Sequence, residues 1–280
     1  MLVRFEELPR HAAGAQAALK GVSAAGPPQG AEAPSGGSAA AFAANVGATL
    51  PGFTVEVLPE IDSTNSELMR RARAGRTEPV LLVAERQTAG RGRLGRQWHT
   101  QAQQALTFSL GILLAPVDWS GLSLAVGVSL AESLHPRIRL KWPNDLWLDG
   151  RKLAGILIET APPARYAVIG IGINIAPLDA QGLSTAPAWL QELLPATDAS
   201  QALLQVAAPL VQAVQAFETF GFQPFQARFN ARDALRDRAV ALSDGTAGTA
   251  HGASETGALL VHTAVGMHAV TSSEVSVRPS

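Results

Sequence analysis

The sequence predicts an α/β fold of the α+β type, in which helices pack on a mixed, largely antiparallel sheet and a small β domain follows. Three observations predict it. Between residues 53 and 175, strand-like runs alternate with short helical stretches. The last three runs are joined by short links, which favours antiparallel neighbours. After residue 233 the chain changes to short alternating segments broken by Gly and Asp, typical of a separate β domain.

The first 48 residues are predicted to be a disordered, low-complexity segment. From Gly14 to Ala48 they are mostly Ala, Gly, Pro and Ser. Such a composition buries too little apolar surface to offset the entropy lost on ordering. We therefore predict three regions: the segment 1–48, a large domain over residues 49–232 and a small β domain over residues 233–280.

The large domain is predicted to open with a strand, a helix and a second strand. FTVEVL from Phe53 alternates apolar and polar residues, as a half-buried strand does. Thr64 and Glu67 have the spacing of a capping box, which predicts the start of a short helix. Gly75 is a stop signal for the end of that helix. PVLLVAE from Pro79 predicts a buried strand.

The remaining elements of this domain follow in order. LTFSLGILL from Leu106 predicts a strand, and residues 121–134 predict an apolar helix. IRLKWPNDLWL, KLAGILIE and YAVIGIGINI predict three more strands, and Asp149-Gly150 between the first two is a hairpin signal. Helical patterning then runs from Ala186 to about Asp233.

The composition excludes several classes of function. The 280 residues carry a formal net charge of −1, so the global balance does not favour binding to a polyanion or a membrane surface. The absence of cysteine excludes disulfides, thiolate zinc sites and cysteine nucleophiles. No apolar run reaches the length of a membrane span, and the start of the chain lacks the apolar core of a signal peptide. We expect a cytoplasmic protein.

The segment GRGRLGRQW, from Gly90 to Trp98, predicts an anion-binding loop directly after a strand. Glycines let the backbone approach a ligand closely, and arginines donate charged hydrogen bonds to phosphate or carboxylate oxygens. The alternatives are a flexible solvated loop and an RNA-binding loop. The neutral overall charge and the lack of interleaved aromatic residues argue against RNA. The residues concerned are Gly90, Gly92, Gly95, Arg91, Arg93 and Arg96.

Two further segments indicate a site. In KWPNDLWLDGRKLAGILIE, Lys141 and Lys152 flank a hairpin, and a proline within a strand confines that strand to an edge or a bulge. Either lysine alone could be a solvated edge residue. In VIGIGINI, Gly170 and Gly172 lie on one face of a strand, where a flat ligand or another backbone can pack directly on the sheet. Close packing by a helix is the alternative.

Together these segments resemble the catalytic domain of the biotin protein ligases. The resemblance covers residues 59–175 and rests on five motifs in register: IDSTN at Ile61, GRGRLGRQW at Gly90, KWPNDL at Lys141, RKLAGIL at Arg151 and GIGIN at Gly170. It implies a class II synthetase-like catalytic domain over residues 49–232 that binds biotin and ATP. It also implies an SH3-like β-barrel over residues 233–280.

The resemblance implies roles for individual residues in ligand binding. Ser63, Thr64 and Gln87 would hydrogen-bond the ureido group of biotin, a neutral ring that needs neutral partners. Plain helix capping is the alternative for the first two. The whole implied binding set is Ser63, Thr64, Asn65, Gln87, Gly90, Arg91, Gly92, Arg93, Arg96, Trp98, Lys152, Gly155, Gly170 and Asn174.

Within that set, Gly155 and Gly170 would lie beneath the biotin bicycle. Trp98 would stack on adenine and Asn174 would hydrogen-bond it. Trp98 could instead belong to the ordinary core. Arg278, near the end of the small domain, would face the nucleotide, although Ser272-Ser273 stand where the family has a glycine pair.

The resemblance also implies the chemistry. The biotin carboxylate attacks the α-phosphate of ATP, and Arg93, Lys152, Lys141 and Mg²⁺ neutralise the charge that develops. A lysine of the biotin carboxyl carrier protein of acetyl-CoA carboxylase then displaces AMP, and Asp145 could orient or deprotonate that lysine. The alternative for Asp145 is a turn-forming role. We assign no metal ligand in the protein itself.

Other classes of function remain open at this stage. A lipoate or octanoate ligase has the same broad structure but less use for the polar set at Ser63, Thr64 and Gln87. A nucleic-acid-binding module centred on the arginine loop is the second rival. The first 48 residues lack two amphipathic helices joined by a turn, so we expect no DNA binding. An apolar edge strand could support a homodimer.

Overall fold

The computed structural model describes residues 50–98, 104–161, 165–177, 185–271 and 277–279. The predicted disordered segment 1–48 lies outside the described residues. Ser272 and Ser273 lie outside them too, and of Arg278 only the backbone is described. No helix in the described part of the chain is long and apolar enough to cross a membrane.

Seven strands form the main sheet, in the order β1-β2-β3-β7-β6-β5-β4. Only β1 and β2 run parallel; every other neighbouring pair is antiparallel. This confirms the mixed, largely antiparallel sheet. The strands are β1 Thr54–Ile61, β2 Val80–Gln87, β3 Ala105–Leu113, β4 Arg139–Lys141, β5 Asp145–Leu148, β6 Arg151–Ala161 and β7 Tyr166–Asn174.

Helices cover both faces of this sheet. Because side chains alternate along a strand, Leu82 packs with the first helix, α1 Thr64–Arg73, while Leu81 faces the larger core on the other side. Three helices contribute to that larger core: α2 Leu122–Leu134, α3 Ala199–Phe220 and α4 Gln223–Arg232. Two 3₁₀ turns, Arg93–Gly95 and Leu190–Glu192, complete the helical elements of the described residues.

The predicted capping box of α1 was wrong. Ser63, in an extended conformation, is the N-cap, and its hydroxyl accepts from the backbone N–H of Ser66 at 3.3 Å. Thr64 is already helical, and its hydroxyl is used in a contact with β2. Glu67 instead accepts from Arg71, which also binds Glu56 of β1, each at 2.8 Å. These ion pairs fix α1 on the sheet.

Two other predicted boundaries were wrong. The segment IRLKWPNDLWL is two strands, β4 and β5, because Trp142 and Pro143 form a turn with a cis peptide bond. The helical stretch 186–233 begins as a helix only at Ala199, where Asp198 provides a capping box with Gln201. Gly221, at φ 67°, then separates α3 from α4.

The small β domain is a five-stranded antiparallel sheet in the order β11-β10-β9-β8-β12. It docks on the large domain through directed contacts. The Trp142 indole N–H donates to the Gly257 carbonyl at 3.1 Å, and Asn230 of α4 accepts from the Ala253 N–H at 2.8 Å. The strands are β8 Ala239–Leu242, β9 Ala247–Ala253, β10 Leu259–Thr263, β11 Gly266–Val270 and β12 Val277–Pro279.

A buried carboxylate lies where the two sheets meet. Asp233 is 8% exposed, and its Oδ1 accepts from the Leu235 N–H at 2.9 Å, whereas its Oδ2 has no partner among the described residues. Burial raises the pKa of Asp233 to about 6; the Leu235 hydrogen bond and Arg236 oppose the shift, and Asp237 adds to it. The folded state therefore holds the proton more tightly than the unfolded state.

The replacement Asp233→Asn is expected to stabilise the protein at pH 8 by about 1.4 kcal/mol more than at pH 5. A carboxyl with a raised pKa contributes stability at low pH and loses it as the pH rises through about 6, whereas the amide does not ionise. Denaturant unfolding of the two proteins at both pH values measures this. An equal difference at both pH values would contradict the prediction.

Candidate active site

The site begins where β1 and β2 end together. Ile61 pairs with Gln87 in the parallel ladder, so the residues that follow β1 lie beside the last residue of β2. The Gln87 side-chain oxygen accepts from the Thr64 backbone N–H at 2.7 Å and from the Thr64 hydroxyl at 3.1 Å. Ser63 is next to them as the cap of α1. The three residues predicted to share a site are therefore brought together.

A serine from the middle of the sheet extends this polar group. Ser109 of β3 is fully buried, and its Oγ lies 2.7 Å from Thr64 Oγ1 and 2.6 Å from Asn65 Oδ1. Sequence reasoning missed Ser109. The signal was present, because Thr107 and Ser109 are two apart in an otherwise apolar strand and must share a face.

Asn65 is the best fixed polar side chain of the site. It is 4% exposed, and its Nδ2 donates to the Leu157 carbonyl at 3.2 Å and to Glu159 Oε2 at 3.0 Å. A Cβ on Gly170 would lie 2.1 Å from Asn65 Oδ1. Gly170 is therefore covered by the side chain of Asn65, a residue of α1, so the alternative of close packing by a helix applies at this glycine.

The loop from Gly90 to Trp98 is a compact hairpin in this structure. The Trp98 N–H donates to the Gly90 carbonyl at 2.9 Å, and the Gly92 N–H donates to the Arg96 carbonyl at 2.7 Å. Leu94, at φ 56°, forms the tip. Arg91 does not point freely into solvent, because its guanidinium is paired with Glu159 of β6. Leu94 at the tip is nevertheless 58% exposed, so the choice between an anion-binding loop and a solvated loop stays a prediction.

Trp98 lies flat against the glycines of the sheet. A Cβ on Gly172 would lie 2.3 Å from Cε2 of the indole, and one on Gly155 would lie 3.4 Å from its Cζ3. The Lys152 Nζ is 5.7 Å from the ring centroid. Trp98 therefore packs on a surface formed by Gly155 of β6 and Gly172 of β7, which we call the glycine floor. The stacking of Trp98 on adenine stays a prediction.

Four cationic side chains gather at the other end of this floor. Asp145 Oδ1 lies 2.7 Å from Lys152 Nζ, and the charges of Lys141, Arg93 and Arg96 act on one another and on this pair. Four cations around one carboxylate leave a surplus of positive charge. Such a cluster favours a polyanionic ligand.

Burial makes this surplus costly in the absence of an anion. Burial lowers the pKa of Lys141; Asp145 opposes that shift, and Lys152, Arg96 and Arg93 add to it. Burial also lowers the pKa of Arg93, again opposed by Asp145 and reinforced by Arg96. A phosphate group would relieve the repulsion among these groups.

The turn between β4 and β5 aligns this cluster. Asn144 donates from Nδ2 to the Ile156 carbonyl at 2.8 Å, and its Oδ1 accepts from Arg93 at 3.3 Å. Asn144 therefore connects the arginine loop to the sheet, a role that sequence reasoning missed. Turn-forming residues give no sequence signal for a partner about 50 positions away.

Two predicted residues have other contacts in the structure. The Asn174 Nδ2 donates to the carbonyls of Lys152 and Ala188 at 3.1 and 2.9 Å, so it anchors the strand that carries Lys152. Asp145 pairs with Lys152. The adenine contact of Asn174 and the base role of Asp145 stay predictions.

The described residues contain no preformed metal-binding site. Among residues 50–98, 104–161, 165–177, 185–271 and 277–279, no three His, Cys, Asp or Glu side chains are grouped to hold an ion. A magnesium ion usually binds through one or two carboxylates together with substrate phosphates. The donor set here does not fit an ion held by the protein alone.

Comparison with known proteins identifies the family of this chain. Residues 57–174 match the Biotin/lipoate A/B protein ligase family, and residues 239–278 match the Biotin protein ligase C terminal domain. The Biotin–[acetyl-CoA-carboxylase] ligase of Mycobacterium tuberculosis is 42% identical over 132 residues, which span 43% of this chain and 49% of the relative. The bifunctional ligase/repressor BirA of Escherichia coli is 37% identical over 226 residues, 76% of this chain and 70% of the relative.

The chain belongs to the biotin protein ligase family. This confirms the family and the enzyme class that the five motifs indicated. A solved biotin protein ligase from Aquifex aeolicus, in complex with biotin and ATP, has a TM-score of 0.71 and 29% identity, over 81% of this chain and 99% of that one. It supports the predicted fold of both sheets. The candidate site from Ser63 to Asn174 lies within the first family match.

Proposed function

We propose that this member of the biotin protein ligase family forms biotinyl-5′-AMP from biotin and ATP and then biotinylates a lysine of a biotin carboxyl carrier protein. One observation carries the proposal. Neutral donors and acceptors at Thr64, Gln87 and Asn65 lie at one end of a glycine floor, and the cation cluster around Asp145 lies at the other. A neutral ureido ring and a polyanionic triphosphate need these two environments.

In the first step, an oxygen of the biotin carboxylate attacks the α-phosphorus of ATP and pyrophosphate leaves. Both reactants are anions, so their approach is opposed by repulsion. The surplus charge of Arg93, Lys141 and Lys152 offsets this repulsion and stabilises the charge that builds on the phosphoryl oxygens. The hairpin loop holds the reactants in place. Mg²⁺ would enter on the ATP phosphates.

In the second step, the neutral amine of the carrier lysine attacks the acyl carbon of the mixed anhydride. AMP leaves, and the amine proton passes to solvent or to Asp145. Asp145 is held within the cluster by Lys152 at 2.7 Å, which suits it to orient the incoming amine. The carrier protein of acetyl-CoA carboxylase is the proposed acceptor, because the Mycobacterium tuberculosis relative is named for that acceptor.

The test is to incubate the purified chain with ATP, Mg²⁺ and biotin, lipoate or octanoate in parallel, and to detect the acyl adenylate by mass spectrometry. We expect biotinyl-AMP alone, followed by a biotin mass increment on one lysine of an added carrier domain. A lipoyl or octanoyl adenylate would favour the rival ligases. No adenylate from any of the three acids would overturn the proposal. The absence of DNA binding and the homodimer stay predictions.

A further inference from the structure

One carboxylate outside the predicted set joins three segments of the site. Glu159, on β6, accepts from Asn65 Nδ2 at 3.0 Å through Oε2 and from the guanidinium of Arg91 through Oε1. Asn65 belongs to α1, and Arg91 belongs to the loop hairpin. The two oxygens of Glu159 therefore accept from donors on two different elements.

Both partners of Glu159 are tied to the rest of the site. Asn65 Oδ1 lies 2.6 Å from Ser109 Oγ, and the Asn65 side chain packs closely against Gly170. Arg91 pairs across the hairpin with Gln97, the neighbour of Trp98. A polar chain thus runs from Gln87 to the base of the loop; its members in order are Gln87, Thr64, Ser109, Asn65, Glu159 and Arg91.

We propose that Glu159 is a positioning residue that latches the loop hairpin to α1 and thereby sets the affinity for biotin. It touches no reacting atom in the proposed mechanism and acts through Arg91 and Asn65. The effect on biotin rests on the proposed function. The effect on the loop does not, because it follows from contacts within the protein itself.

The chemistry of the contact requires a carboxylate. Two donors face Glu159, and a carboxylate can accept from both. The isosteric replacement Glu159→Gln leaves one acceptor oxygen and turns an NH₂ group toward one of the two donors. The amide can therefore satisfy Asn65 or Arg91, but not both. Glu159 is partly exposed, so the loss of one pairing should free the loop without unfolding the sheet.

The matched control is Glu60→Gln. Glu60 binds Arg86 at 2.6 Å in a pair that is about half exposed, and it has no contact with the polar chain among the described residues. The two variants make the same substitution and remove one ion pair each. They differ in whether that pair holds the loop.

The first measurement needs no ligand. Trypsin cleavage after Arg91, Arg93 and Arg96, followed by mass spectrometry of the full chain, reports how often the loop opens. We expect about tenfold faster cleavage in Glu159→Gln than in the unmodified protein and an unchanged rate in Glu60→Gln. Equal rates in all three proteins would overturn the latch.

The second measurement is kinetic. In Glu159→Gln we expect the KM for biotin to rise about tenfold while kcat for adenylate formation stays within about twofold, because uniform binding is lost and no transition-state contact is removed. A fall in kcat with an unchanged KM would contradict the positioning role.

The two proposals fail in distinguishable ways. If the unmodified protein makes no biotinyl-AMP, the proposed function fails, and the trypsin result still decides whether the latch exists. If the adenylate forms normally in Glu159→Gln with an unchanged KM, the effect of the latch on biotin affinity is refuted and the proposed function stands. Thermal unfolding of each variant identifies any general loss of structure.

Discussion

Replacing Lys152 by methionine is expected to lower kcat/KM for adenylate formation roughly 10²–10³-fold, the loss typical of one preorganised charge donor. Lys152 is the second residue of β6, pairs with Asp145 at 2.7 Å and lies near the Trp98 ring. It is therefore held between the carboxylate and the glycine floor, where we place the reacting carboxylate and phosphate. Methionine keeps much of the apolar stem and removes the charge.

The matched control for this prediction is Arg137→Gln. Arg137 pairs with Asp149 at 2.7 Å near the hairpin that precedes Lys152, and both side chains are well exposed. The Arg137→Gln substitution removes one cation and one ion pair outside the cluster, so activity should stay within about twofold. Single-turnover formation of biotinyl-AMP measures both variants. Comparable losses in the two would mean that the position of Lys152 in the cluster has no special role.

Replacing Gly170 by alanine is expected to weaken biotin binding roughly 10²-fold, because several hydrogen bonds of about 1 kcal/mol each are broken together. The new Cβ would lie 2.1 Å from Asn65 Oδ1 and 2.8 Å from Asn65 Cγ. Asn65 cannot retreat without losing its bonds to Leu157, Glu159 and Ser109. A single methyl group therefore disrupts the centre of the polar chain.

A Gly→Ala change elsewhere provides the comparison for this prediction. In Gly127→Ala, on α2, the added Cβ meets only methyl ends, Leu140 Cδ2 at 3.2 Å and Ile156 Cδ1 at 3.7 Å. Alanine also favours the helix, so binding should stay within about twofold. Isothermal titration with biotin measures the affinity of each variant. An unchanged affinity in Gly170→Ala would show that Asn65 plays no part in binding.

Much of the fold could be predicted because the patterns are local. Alternation in FTVEVL, the apolar run before Gln87 and the Asp149-Gly150 hairpin each depend on residues close in sequence. The segments that failed did so where tertiary contacts override local signals. Thr64 fits a capping box by spacing, but its hydroxyl is used by Gln87 and Ser109, and Ser63 provides the cap.

The sequence by itself determined the family, most of the strands and helices of the large domain, and the residues of the arginine loop and the lysine hairpin. These follow from motifs in which the chemistry is carried by neighbouring residues. Only the tertiary structure decided that Ser109, Asn144 and Glu159 belong to the site and that Trp98 lies on Gly172. The physical reason is that hydrogen bonds and steric contacts form between atoms that are close in space. Glu159 meets Arg91 across 68 positions of sequence, and no local pattern encodes that approach.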